Sequence, residues 1–170
     1  MKKHWQYFKY VARHKWFVFL AGLQIGPERW YQWPLWILRL ALHDWDKFTP
    51  VEWRGYKRRF DNGNDFTLMA NDLAYHMAYH MHMKRNKHHW EWWVSTLSGG
   101  RSRALPMDAN SRREMLADMH GQGRTVGKPD IAPWYLGWRE NMQLYPETRT
   151  WFDLKILGGV FESEQEKLTA

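Results

Sequence analysis

Apolar residues at Trp5, Phe8, Ala12, Trp16, Phe19, Leu20 and Leu23 follow an i, i+3, i+4 spacing, which predicts a helix over about Trp5 to Leu23. His14 lies off this stripe, on the side shared with Tyr7, Tyr10, Val11 and Val18, so both faces are occupied and the helix is expected to be central. Gly26-Pro27 ends it. A second helix is expected from about Glu28 to Leu42, with Pro34 either kinking it or delaying its start. Thr49-Pro50-Val51-Glu52 reads as a start signal: Thr49 as cap, Pro50 at the first helical position, Glu52 closing a capping box. That helix runs to about Phe60, and Asp61-Asn62-Gly63-Asn64 is a loop. A fourth helix covers Phe66 to about Arg85, and Lys87 to Thr96 continues or restarts it. Ser98 to Ser102 is a glycine-containing loop. Asp108 or Ser111 caps the next helix, with Ser111-Arg112-Arg113-Glu114 as a second capping box, and Gly121 stops it. Gln122 to Pro133 is a basic, glycine-containing loop; Trp134 to Leu144 is helical, and Pro146 starts a last helix through Leu157. Strand signals are nearly absent. The pattern predicts an all-α, single-domain helical bundle over residues 1–160, followed by a polar C-terminal tail, 161–170.

Length and composition narrow this picture. The 170 residues can bury a core without covalent staples, and with no cysteine any metal must be held by His, Asp and Glu. The net charge of +7 suits anionic partners, whether phosphate esters, nucleic acid or a membrane surface, and equally suits plain solubility. Thirteen tryptophans invite three uses: stacking platforms for bases, an interfacial belt, or core; their helical spacing favours core. The apolar runs Trp16 to Ile25 and Trp33 to Leu42 are too short to span a bilayer, and the N-terminal segment is interrupted by Tyr7, Tyr10 and Arg13-His14-Lys15, which is unlike a leader. A cytoplasmic protein without a membrane partner is the expectation.

Candidate chemistry begins at His43-Asp44. Adjacent residues on a helix point about 100° apart, so the two converge on one ion only where the helix ends and the backbone relaxes. An imidazole nitrogen and a carboxylate oxygen together suit manganese, iron, nickel or zinc. Further donors are His14, the run His76, His80, His82, His88 and His89, and Asp118. Each has a plainer reading. His14 on an apolar face is commonly a hydrogen-bonded core residue. Asp118, read as sitting in the last turn of its helix, opposes the helix dipole and calls for a cation, of which the chain's arginines are one source. Spacing alone favours His76 and His80, an i, i+4 pair.

The order His14, His43-Asp44, Asp118 resembles the metal-dependent HD superfamily, and His43-Asp44 with Lys47, followed by His82 and His88-His89, resembles its branch with more than one metal. That branch includes cyclic-dinucleotide phosphodiesterases and mixed-valent di-iron oxygenases. More closely, Tyr10 to Trp16, His43 to Phe48, Lys84 to Trp90, Glu114 to Asp118 and Pro146 to Arg149 resemble an uncharacterised bacterial and phage family. Asp46 stands where that family more often has Ser, and Tyr145 where it has His. His76 and His80 have no clear counterpart there and are left out of the ligand set.

The resemblance implies one or two divalent ions (Mn, Fe, Ni or Zn) held by His14, His43, Asp44 and Asp118, with His82 and His88 or His89 completing a second position. It implies an HD-like bundle acting as a phosphohydrolase on a nucleotide or other phosphate ester through metal-activated water, with Asp44 and Lys47 as catalytic groups. Arg85, Arg124 and Lys128 are candidates for non-reacting phosphates, or solvated surface charge. The alternatives are a di-iron oxygenase with the same ligand order, a nucleic-acid or protein-binding module, and a degenerate fold with a structural ion.

Overall fold

The computed structural model describes residues 2–61 and 71–168, with side chains through 60 and over 71–158. The expected loop at 61–64 and the start of the fourth helix at Phe66 lie largely outside the described residues. The described chain is mostly helical: α1 (Lys2–Ile25), α2 (Trp33–Leu42), α3 (Pro50–Asp61), α4 (Leu73–Arg85), α5 (Ala109–Thr125), α6 (Ala132–Trp138) and α7 (Pro146–Leu168). The one sheet among the described residues is a hairpin of β1 (Val94–Thr96) and β2 (Ser102–Ala104), paired Val94 to Ala104, Ser95 to Arg103 and Thr96 to Ser102.

Several boundaries differ from the sequence reading. Pro34 delays α2: the chain takes a 3-10 turn at Trp30–Gln32 and becomes α-helical only at Trp33. The segment after Arg85 does not continue as helix. Asn86 caps α4, a 3-10 turn spans Trp90–Trp93, and the chain enters the hairpin, where Gly99 and Gly100 take positive φ at the turn. Asp108, not Ser111, caps α5, its carboxylate accepting from the Ser111 amide at 2.8 Å. Gly121 does not stop α5, which runs on to Thr125, and the last helix runs past Leu157 to Leu168, through the segment read as a polar tail.

Gly121 sits where α5 crosses α1. A Cβ there would lie 2.7 Å from the Val18 amide nitrogen and 2.9 Å from the Val18 Cα, so glycine is what lets the two backbones approach. Gly22 leaves room for the Leu40 side chain, and its carbonyl accepts from the Trp36 indole at 2.9 Å, tying α2 to α1. Around this crossing lie Val11, Val18, Ala21 and Ala117, all buried. A larger apolar cluster built on Met115, Leu116, Tyr135, Phe152 and Leu157 packs α5, α6 and α7 together. Helix α1 packs one face inward through Tyr7, Val11, His14 and Val18, whereas Trp5, Phe8, Ala12 and Trp16 on the other face are exposed, so the expectation that both its faces are occupied does not hold. The tryptophans are another matter: Trp36 alone of the thirteen is buried, and Trp5, Trp16, Trp30, Trp45, Trp134 and Trp138 are exposed.

A glycine pair tests the crossing. Gly121→Ala gains up to about 1 kcal/mol of helix propensity but overpacks a backbone contact at a cost of about 1–3 kcal/mol, so its urea midpoint is expected to fall. Gly137→Ala in α6, where a Cβ meets nothing within 4 Å, is expected to raise the midpoint.

Candidate metal centre

Helix α2 ends at Leu42, and the next two residues leave helical geometry. His43 is at φ −47°, ψ 130°, and Asp44 is at φ 54°, ψ 27°, the one non-glycine residue with positive φ among those described. A left-handed residue costs about 1–2 kcal/mol, least for Asp and Asn. The reversal brings two consecutive side chains, which a helix would splay apart, onto one point. There the Asp44 carboxylate is buried, and its two oxygens face different sets of imidazoles. Oδ2 lies 3.4 Å from His14 Nε2 and 3.4 Å from His43 Nε2, while Oδ1 lies 3.2 Å from His82 Nε2 and 3.3 Å from His88 Nε2.

Four elements supply these groups. His14 comes from the inner face of α1, His82 from the last turn of α4, His88 and His89 from the turn after it, and Asp118 from α5. Asp118 Oδ1 is 3.1 Å from His14 Nε2 and 3.6 Å from His43 Nε2. Because α5 continues for two more turns, Asp118 is mid-helix; its charge is met by imidazoles rather than set against a helix end. Two four-residue groups result, His14, His43, Asp44 and Asp118 on one side and Asp44, His82, His88 and His89 on the other, each with donor atoms within 4.8 Å of one another. His76 and His80 lie on the exposed side of α4, away from this cluster.

Outside this ring stands a second one of carboxylates, which the sequence reading did not find. Glu114 Oε1 lies 3.0 Å from His43 Nδ1 and 3.4 Å from His88 Nδ1. His82 Nδ1 lies 3.1 Å from Glu52 and 3.2 Å from Asp46. With the imidazole proton donated outward from Nδ1, each Nε2 lone pair faces the centre, the arrangement that orients imidazole ligands and raises their basicity. The carboxylates are themselves held. Arg39 pairs with Glu114 and donates to Ser111 Oγ at 2.7 Å; Arg85 Nη1 donates to Glu52 at 3.0 Å; Asn86 Nδ2 donates to Asp46 at 2.6 Å.

Of the residues read as phosphate-binding, Arg85 is therefore engaged with Glu52. Arg124 donates to Gln24 at 3.3 Å, ten residues or about 15 Å along α1 from His14, so it is not brought to the cluster. Lys128 is exposed in the turn beyond Arg124. Lys47 is at the centre: its ammonium pairs with Asp44 Oδ2 and lies 5.7 Å from the Tyr56 ring. Burial works against its charge, but Asp44 and Asp118 outweigh burial and hold its pKa above the ordinary lysine value.

The fit to a cation rests on unsatisfied atoms. The Nε2 atoms of His14, His43, His82, His88 and His89 and the Oδ1 of Asp44 are all buried without a hydrogen-bond partner. One such group costs about 1–3 kcal/mol, and folded proteins leave very few. Six converging on one place are matched by divalent ions with nitrogen and oxygen ligands. Without a cation the carboxylates recruit protons instead. Burial alone would lower the His82 pKa, but Asp44, Asp46 and Glu52 push it up to about 11; His14 and His43 rise for the same reason. Burial first, and then the neighbouring His88 and His82, hold the His89 pKa well below its ordinary value.

A profile of a family of unknown function (DUF5662) matches residues 3–156, and the chain belongs to that family. No curated protein and no solved structure matches it.

Two measurements test the centre. Asp44→Asn keeps the residue type that tolerates left-handed backbone and removes the charge; bound divalent metal, by elemental analysis of protein purified without chelator, is expected to fall at least about tenfold, and Glu114→Gln to weaken binding about 10–100-fold. Unchanged metal content in Asp44→Asn excludes the site. The second reads pH. His82 is raised in the folded state, so in chelator its contribution to stability is complete below about 6.5 and is lost as pH rises toward its folded value. A cation displaces those protons, so the increase in Tm from added Mn²⁺ is expected to grow from pH 6 to pH 9.

Proposed function

We propose that this chain is a metal-dependent phosphohydrolase acting on a nucleotide or other phosphate ester at a centre of two divalent transition-metal ions (Mn, Fe, Ni or Zn). The observation that carries the reading is Asp44: its two carboxylate oxygens divide six further donors into His14, His43 and Asp118 on one side and His82, His88 and His89 on the other. The order of these residues along the chain resembles that of the HD superfamily, an analogy that supports the reaction class and leaves the substrate to be found.

When bound, a pair of such ions supplies an acidified water and positive charge for an in-line displacement at phosphorus. The protein's own residues do the rest. Glu114, Asp46 and Glu52 retain the outward imidazole protons, so the inward nitrogens keep their lone pairs. Lys47, Asp118 and His89 are the partly exposed groups of the cluster, Lys47 and Asp118 at 17% and 20% of the side chain against 0–3% for His14, His43, Asp44, His82 and His88. In this reading substrate approaches beside Lys47, which pairs with Asp44. Lys47, protonated and adjacent to Asp44, binds a non-bridging phosphate oxygen and offsets the charge that develops during transfer. Tyr7 steadies the turn carrying Lys47, its hydroxyl donating to the Lys47 carbonyl at 3.3 Å.

The test is a panel of nucleotides and generic phosphodiesters with manganese, nickel and iron. Hydrolysis is expected in the metal-loaded protein and not after chelation. Lys47→Met is expected to lower kcat by about 10²–10³ with metal content retained; loss of metal in that variant assigns Lys47 to holding Asp44 instead. The same donors suit a di-iron oxygenase, and an iron-loaded protein whose absorbance responds to oxygen while phosphate esters stay intact overturns hydrolysis in its favour.

A further inference from the structure

The ligand side of α1 is only half of that helix. His14 is about 180° round the axis from Trp5, and the outward side carries Trp5, Phe8, Ala12 and Trp16, all exposed, with Trp5 and Trp16 at 59% and 58%. The rings pack beside one another and stay open to solvent: Trp5 stacks on Phe8 at 5.4 Å, Phe8 meets Phe48 at 6.3 Å, and Phe48 meets Trp53 at 6.1 Å. The surface continues onto α2 and the turn after it, where Phe8, Ala12, Trp16 and Phe19 line one groove with Leu40, Ala41 and Phe48; Leu35, Leu38, Leu42 and Trp45 are exposed as well, Leu35 at 72% and Trp45 at 60%. Isolated surface hydrophobes need no explanation, but a contiguous aromatic and aliphatic face across two helices does.

Charge identifies what covers it. Residues 2–43 carry seven of the chain's lysines and arginines and a single acid, Glu28, so nearly the whole net charge of +7 belongs to this segment. On α1 the exposed stripe is flanked on one side by Lys2, Lys9 and Arg13, with no acid anywhere in the helix, while on the other side the Lys15 ammonium donates to the Ala41 and His43 carbonyls. Lys9 Nζ lies 5.6 Å from the Trp5 ring, its stem lying along the apolar surface with the charge at its edge. Tryptophan and leucine at the centre and cations at the margins is the composition of a helix lying in the plane of a bilayer interface. A second copy of this chain would set these cations against their own kind with no acid to pair them.

We infer that the outer face of α1 and α2 docks the protein peripherally on an anionic lipid surface, the aromatic rings entering the headgroup boundary and the flanking cations meeting lipid phosphates. This reverses the expectation that the tryptophans are core and that the protein has no membrane partner. It is compatible with the absence, among the described residues, of any helix long and apolar enough to cross a membrane, because docking needs none. It does not depend on the chemistry of the metal centre.

The full chain is expected to co-sediment with equimolar phosphatidylcholine–phosphatidylglycerol vesicles at low ionic strength, at least about tenfold more tightly than with phosphatidylcholine alone, and to be released as salt is raised. Brominated acyl chains are expected to quench its tryptophan fluorescence. Trp5→Ala/Trp16→Ala is expected to lose at least about tenfold in vesicle affinity, and Lys9→Glu/Arg13→Glu to lose the preference for anionic lipid. All four side chains are exposed, so far-UV spectra and bound metal are expected to match the parent in both variants. No binding to the anionic vesicles at low salt, or equal binding by parent and variants, overturns the inference. So does a concentration-dependent dimer that the tryptophan variant disperses without any vesicle binding, which assigns the face to a second copy.

Discussion

A buried carboxylate whose charge is not matched is among the most costly groups a fold can contain, and the Asp44 side chain is in that position where the chain's helices meet. Its backbone is in a left-handed conformation, its charge is turned away from water, and its two oxygens face imidazole nitrogens from α1, α4 and the turn beyond. Lys47 meets part of the charge from one side. The rest of the molecule is arranged around what remains. The α1–α5 crossing brings His14 to Asp118, the end of α4 brings His82, and the outer carboxylates fix the rotation of the His43, His82 and His88 rings. Without a cation at the middle, the same acids turn to protons on the histidines.

The helical plan was legible because α1, α3 and α5 carry caps and periodicities that local chemistry dictates. The cluster was legible through the motif order that resembles the HD superfamily, and His14, His43, Asp44, His82, His88, His89 and Asp118 are gathered in one place. The outer carboxylates were hidden by a competing local explanation. Glu52 and Glu114 both fit capping boxes, yet Thr49 Oγ1 donates to the Asp46 carbonyl at 2.7 Å and Ser111 Oγ serves Arg39. The acids were thereby free for His82 and for His43 with His88. Glu114 stands four residues before Asp118, one turn away on the same helix side, and that spacing was the available signal. Asn86, four residues after His82, carried the same kind of signal.

Gly121 misled for a related reason. Glycine near the end of a periodic stretch reads as a terminus, but here it answers to a neighbour on another helix, and its meaning lies in the proximity of Val18. The tryptophans misled in the opposite sense. Helical spacing says which residues share a face and is silent on whether that face turns inward. On α1 both faces are aromatic or apolar, and the inner one is taken by Tyr7, Val11, His14 and Val18. The wider, cation-edged stripe was left to the outside.

Glu114 receives His43 from one half of the centre and His88 from the other, whose rings lie 4.4 Å apart. A single carboxylate rotamer thus sets the aim of both rings. On the proposed two-ion reading, an ion in either half would find the ring of the other half already aimed by the same carboxylate, which Arg39 holds. That reading makes the two positions cooperative and a half-filled molecule the disfavoured species.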